Sequence, residues 1–368
     1  MTRAVLPCSM GFPPNELRCN YDAINDAPAA HYSSASALLP DATPMIEPRL
    51  HRVLCPGPAS PATPATSGTD APAPAGMHRM AYWEWRGWGA WNDTGHPAHS
   101  RVVVCVHGLA RQGRDFDSLA RALSPHARVI CPDVAGRGQS DWLADPMAYQ
   151  IPQYASDMLA LLAQLQQSGP ISTLDWVGTS MGGLIGLVIA GQPGLPLPVP
   201  VRRLVLNDVG PVIQWQALQR IAQYLGRWGQ FDSLQQAADA LWSVSSSFGP
   251  HTPAQWLELS RAMVRPLPQG GLALHYDPAI AVPFRSAYST PESVTAGEAA
   301  LWRLYDQITA RTLLLRGVQS DLLAPATAQA MAGRGPRAHV VEFEGVGHAP
   351  MLMAADQLAA VTQFLLAQ

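Results

Sequence analysis

The chain has 368 residues, of which 48% are hydrophobic and 14% charged, with a formal net charge of −3 and a pI near 6.4. That balance suits a large buried core and gives no electrostatic basis for binding nucleic acid or an anionic membrane surface. Five cysteines without regular spacing do not form a disulfide framework or a zinc-binding pattern, and no uninterrupted apolar run is long enough to span a bilayer.

Residues 1–78 differ from the rest. They are rich in Ala, Pro, Ser and Thr and hold more than a third of the chain's 34 prolines. Such a composition has too little apolar periodicity to offset its ordering entropy, so a disordered N-terminal extension is expected, with Met77 and Met80 as alternative starts. Pro7, Cys8 and Pro13 interrupt any signal-like apolar core, so a cytoplasmic location is expected. Residues 80–85 read as an aromatic strand and 101–106 as a buried parallel strand. A helix over 115–123, a strand over 128–132 and a long amphipathic helix over 149–167 follow. Residues 174–177 form a strand, 183–192 a helix and 203–206 a strand. Strands alternating with helices predict an α/β fold, a parallel sheet covered on both faces. The alternation stops at Asn207. Residues 211–304 carry helical patterns over 215–225, 234–244, 253–264 and 295–305 and no convincing strand, which predicts a helical lid. Its aromatics Trp215, Tyr224, Trp228, Trp242 and Trp256 have a helical spacing that favours packing over pocket lining. Strands resume at 312–315 and 339–343, and a helix at 354–366 closes the chain.

Chemistry concentrates at Gly178-Thr179-Ser180-Met181-Gly182, a G-x-S-x-G string between a strand and a helix. Here a sharp turn lifts a serine hydroxyl out of the sheet beside a helix N-terminus. Acyl transfer then needs a base, a group to orient it and donors for the oxyanion. Ser180 is the candidate nucleophile. His348, in Gly347-His348-Ala349-Pro350 after the last strand, is the candidate base. Asp321, after the strand at 312–315, is the candidate acid, with Asp208 after the strand at 203–206 as its rival. The amides of Met181 and of Leu109, in His107-Gly108-Leu109, are the candidate oxyanion donors, and His107 is expected to brace that loop. The glycine turn Asp133-Val134-Ala135-Gly136-Arg137-Gly138-Gln139-Ser140 lacks the Lys and Thr of a phosphate loop, so no nucleotide site is expected.

From about residue 80 onward, these pieces resemble the α/β-hydrolase fold superfamily, and within it the small lidded serine esterases, cofactor-free haloperoxidases and carbon–carbon bond hydrolases. The resemblance implies an eight-stranded, mostly parallel sheet, a helical lid, and no cofactor or metal. Ser180 stands where epoxide hydrolases and haloalkane dehalogenases carry Asp. Ala349 follows the histidine where many carbon–carbon bond hydrolases carry Trp.

The expected activity is hydrolysis of small-molecule carboxylic esters of small to medium acyl groups, hydroxyacyl oligoesters among them. A carbon–carbon bond hydrolase with the same triad is the alternative. A catalytically silent receptor or scaffold is a further one, disfavoured by the intact Ser, acid and His set. Chain length, stereochemistry and oligomeric state are not legible.

Overall fold

The computed structural model describes residues 47–61, 63, 73–87, 100–227, 229–287 and 290–367, all within one unit, Met45–Gln368. Eight strands form one sheet: β1 (Arg49–Pro56), β2 (Met77–Trp85), β3 (Arg101–Val106), β4 (Arg128–Pro132), β5 (Thr173–Thr179), β6 (Val201–Asn207), β10 (Arg311–Gly317) and β11 (His339–Phe343). Their spatial order is β1-β2-β4-β3-β5-β6-β10-β11. β2 runs antiparallel to both neighbours and every other pairing is parallel.

The central parallel strands are rich in buried apolar residues because both of their faces are covered. In β3, Val102, Val104 and Val106 join one core with α2 (Ile151–Ser168) and α3 (Met181–Gly191). Val103 and Cys105 face the other core with α1 (Asp117–Leu123) and α10 (Ala355–Leu366). The period of two along the strand thus divides its side chains between two layers of helices. Cys55, Cys105 and Cys131 are free, buried thiols, while Cys8 and Cys19 lie outside the described residues. No helix among the described residues is long and apolar enough to cross a membrane.

Two expectations require correction. First, β1 lies inside the segment expected to be a disordered extension. Its eight residues pair with β2 from Arg49↔Glu84 to Pro56↔Met77. Val53 and Cys55 point into the core while Leu54 faces outward. The Pro- and Ala-rich surroundings mask this short alternating strand.

Second, the insertion between β6 and β10 is not wholly helical. It contains α4 (Trp215–Tyr224), α5 (Leu234–Ser245), α6 (Pro253–Ala262), α7 (Ala281–Ala287) and α8 (Pro291–Gln307). It also contains a three-stranded sheet of β7 (Gln230–Phe231), β9 (Leu272–Leu274) and β8 (Val264–Pro266). β8 and β9 are joined by a turn in which the Leu267 and Gly271 backbones bond, with Gly270 and Gly271 at positive φ. Strands of two or three residues are too short to show a period. A further helix, α9 (Pro325–Gly333), links β10 to β11.

The insertion docks on the sheet domain through backbone. Asp277 N donates to Gly136 O at 2.7 Å, Gly138 N donates to His275 O at 2.9 Å, and Arg137 and Tyr276 form an antiparallel bridge.

Candidate active site

β5 ends at Thr179 and α3 begins at Met181, so Ser180 alone makes the turn, with φ 51° and ψ −114°. A positive φ costs a non-glycine residue roughly 1–3 kcal/mol and persists only where its surroundings hold it. Here the Ser180 amide donates to Asn207 O at 3.0 Å, and Asn207 Nδ2 donates to Thr179 Oγ1 at 3.0 Å and to Pro350 O at 2.8 Å. The flanking glycines are required by crowding. A Cβ on Gly182 would lie 2.0 Å from Val106 O, and one on Gly178 would lie 2.3 Å from Gly182 O.

His348 lies on the loop after β11 and is largely buried. Its Nε2 is 3.0 Å from Ser180 Oγ and its Nδ1 is 2.8 Å from Asp208 Oδ2. Asp208 follows β6, is fully buried and also has a positive φ of 55°. Its Oδ1 accepts from the Gly317 amide at 3.0 Å and its Oδ2 from Ser320 Oγ at 2.6 Å. A carboxylate so held can accept Nδ1–H and leave Nε2 free to take a proton from the serine. The insertion contributes as well, since the Gly347 amide donates to Ser247 O at 2.6 Å.

Asp321, the expected acid, is not at this site. It lies past the end of β10 with its side chain 46% exposed, and it forms a bidentate pair with Arg220 of α4 at 2.7 and 2.9 Å. Asp208 follows its strand directly, whereas the turn from Gly317 to Ser320 gives its amide and hydroxyl to Asp208 and carries Asp321 outward.

Leu109 and Met181 both border the same cavity as Ser180. Met181 opens α3, so its amide has no intrahelical acceptor. The loop that carries Leu109 is fixed by His107, whose Nε2 accepts from the Val134 amide at 2.9 Å. Its Nδ1 therefore carries the proton and donates to Gly108 O at 2.7 Å. Burial lowers the His107 pKa to about 3, so the ring is neutral. Asp133, also buried, is raised by burial to about 6, although the Gly113 and Gln139 amides donate to it.

The cavity at Ser180 has a volume of about 210 Å³. The sheet domain supplies Tyr149, Tyr154 and Leu184, and the insertion supplies Ile213, Leu218 and Phe284. Among the described residues, no charged side chain lines it. None of the aromatics Trp215, Tyr224, Trp242 and Trp256 does either: Trp256 packs edge-on against Trp242, with ring centroids 5.0 Å apart. Trp228 lies outside the described residues.

Sequence reasoning missed Ser320 and Arg137. Ser320 left no signal. Arg137 left one, a lone cation between two glycines directly after a buried strand.

The family profile of the alpha/beta hydrolase fold matches residues 101–354. A 3-hydroxybutyrate-oligomer hydrolase of Cupriavidus necator is 50% identical over 296 residues, spanning 79% of this chain and 94% of that protein. A pimeloyl-[acyl-carrier protein] methyl ester esterase of Xanthomonas campestris is 28% identical over 267 residues, spanning 71% of this chain and 93% of that one. The crystal structure of an alpha/beta hydrolase from Novosphingobium aromaticivorans superposes with a TM-score of 0.68 at 33% identity, covering 87% of this chain and 99% of that one. On the profile match, the strand order and these relatives, the chain belongs to the α/β hydrolase fold family and is a hydrolase acting on ester bonds.

Proposed function

We propose that the protein is a serine esterase that cleaves short oligoesters of a hydroxyacyl unit, 3-hydroxybutyrate oligomers being the substrate class, with Ser180, His348 and Asp208 as its triad. The observation that carries this reading is the unbroken chain from Ser180 Oγ through His348 to Asp208 at 3.0 and 2.8 Å, opening on a small uncharged cavity. The likeness to the oligomer hydrolase, which spans 94% of that protein, supports the substrate class.

Ser180 Oγ attacks the ester carbonyl while His348 Nε2 takes its proton. Asp208 holds the Nδ1 proton and stabilises the imidazolium. The oxyanion forms against the Leu109 and Met181 amides. His348 returns the proton to the departing alkoxide, leaving an acyl-enzyme. Water, deprotonated by the same imidazole, then releases the acid. The apolar walls accept a short neutral acyl group. They offer no counter-charge, so a carboxylate would have to stay on the solvent side of the scissile bond.

The test is hydrolysis of 3-hydroxybutyrate dimer and trimer beside a p-nitrophenyl ester chain-length series. Ser180→Ala should lose about 10⁴-fold or more of kcat on every substrate. Asp208→Asn should lose several orders of magnitude, and Asp321→Asn less than about tenfold. A larger loss at Asp321 would overturn the assignment of the acid. Cleavage of p-nitrophenyl butyrate but not of the oligomers would reject the substrate class and leave the triad standing.

A further inference from the structure

Arg137 is among the largest fully buried side chains, and no carboxylate among the described residues lies within ion-pair distance of it. Its hydrogen-bond partners are neutral. Nε donates to Leu109 O at 2.9 Å, and Nη1 donates to Ala135 O at 2.7 Å and to Tyr154 Oη at 2.9 Å. Nη2 lies 3.7 Å from Met181 Sδ. The guanidinium carbon stands 5.0 Å from the Tyr154 ring centroid and 5.7 Å from that of Tyr149. A charge buried without a counter-ion is costly and is retained where something else depends on it.

The two residues touched by Nε and Nη2, Leu109 and Met181, are those whose amides would receive the oxyanion. Holding the Leu109 carbonyl restrains the peptide unit that directly follows the Leu109 amide. The Met181 side chain rests against the same cation. A positive charge with no direct ion-pair partner, lying behind a mostly apolar cavity, favours negative charge that develops there, and that charge is present only after the serine has attacked.

We propose that Arg137 is the positioning residue of the oxyanion hole, and that its buried charge stabilises the oxyanion from behind the Leu109 and Met181 amides. This rests on the triad reading above. It assigns Arg137 a part in the rate of acyl transfer and none in binding the substrate's ground state. The insertion takes part through its docking. The Arg137 backbone bridges to Tyr276, and the Tyr149 hydroxyl donates to Asp277 Oδ2 at 2.6 Å, so that buried acid is held by a phenol.

The test compares native enzyme with Arg137→Gln and Arg137→Lys, each checked for native circular dichroism. The readouts are kcat and KM on p-nitrophenyl butyrate, and the inhibition constant of an alkyl trifluoromethyl ketone, which forms an anionic hemiketal with an active serine. Arg137→Gln should lose at least about tenfold in kcat, short of the 10²–10³-fold typical of deleting a direct donor, with KM within about twofold. The ketone should weaken in parallel, and Arg137→Lys should recover part of both. A loss confined to KM, or unchanged ketone affinity in Arg137→Gln, overturns the proposal. If neither variant folds, Tyr154→Phe removes one acceptor from Nη1; a severalfold lower kcat at unchanged KM supports the proposal and an unchanged kcat overturns it. Labelling by a fluorophosphonate separates the two levels. Native enzyme that does not label at Ser180 defeats the triad reading, whereas equal labelling of native and Arg137→Gln enzyme defeats only the role of Arg137.

Discussion

At the scale of single residues, the site depends on buried polar groups whose charge states are set by burial. His107 is neutral because burial lowers its pKa to about 3, and His275 on the insertion is lowered to about 4 by burial and by Arg265. Both folded values lie below the unfolded imidazole value. Between the folded and unfolded values the unfolded chain binds the extra proton, so acid favours unfolding. Asp133 acts in the opposite sense. Its carboxyl is raised by burial to about 6, so between its unfolded value of 3.8 and about 6 the native state binds the extra proton and acid favours folding. The His107 contribution to stability should therefore fall as pH drops from about 6.5 toward its folded value of about 3, with a limiting slope near 1.4 kcal/mol per pH unit. His107→Asn keeps a donor and an acceptor in the loop but removes the titrating ring. Urea unfolding at pH 7, 6 and 5 should show a shallower acid loss in the variant, by about 1–2 kcal/mol at pH 5. Parallel curves would mean that His107 does not carry the effect.

At the scale of elements, the elbow is held by the close approach of β3, β5 and the first turn of α3. Gly182→Ala would place a methyl 2.0 Å from Val106 O, a backbone atom that cannot swing aside without moving β3. It should cost about 3 kcal/mol or more, and because the displaced backbone carries Ser180, esterase activity should fall with it. Gly297→Ala in α8 is the control of opposite sign. Among the described residues nothing lies within 4 Å of where the new methyl would stand, so the helix should gain about 0.5–1 kcal/mol with kcat unchanged. Thermal unfolding and p-nitrophenyl butyrate turnover measure both. Strands buried on two faces were the most legible elements, because an unbroken apolar run such as 101–106 has few other uses. Ser180 and His348 were legible for a related reason, as each sits in a glycine-marked turn directly at a strand or helix end. The acid was harder. Asp208 and Asp321 both follow strands and both fit the chain order, and what separates them is the donor set of Gly317 and Ser320. That set exists only after β6 and β10 pair from Arg311↔Arg203 to Leu315↔Asn207. The short strands of the insertion and the seat of Arg137 were illegible because each depends on contacts between segments far apart in sequence.

At the scale of the whole molecule, β1 is part of the unit that carries the site. Val53 and Cys55 are buried in the core shared by α2 and α3. The turn after β1 carries Gly57, whose carbonyl accepts from His78 Nδ1 at 2.9 Å, while His78 Nε2 faces Asp157 Oδ2 of α2 at 3.2 Å. The His78–Asp157 pair is fully buried and ties β2 to α2. A chain beginning at Met77, one of the starts suggested by composition, would lose the two core side chains, the pairing along one edge of β2 and the acceptor for a buried imidazole. Side-chain burial alone amounts to about 1.5–3 kcal/mol per residue, and an unsatisfied buried donor costs about 1–3 kcal/mol more. Together these are comparable to the whole stability of a typical domain, about 5–15 kcal/mol. A chain beginning at Met45 keeps every described element and is the matched comparison. The Met45 form sets the reference melting temperature and p-nitrophenyl butyrate rate. The Met77 form should be insoluble or melt more than about 10 °C lower, a shift expected from losing several kcal/mol in a domain of this size. Equal melting temperatures for the two forms would show that β1 is dispensable and return the boundary to residue 78.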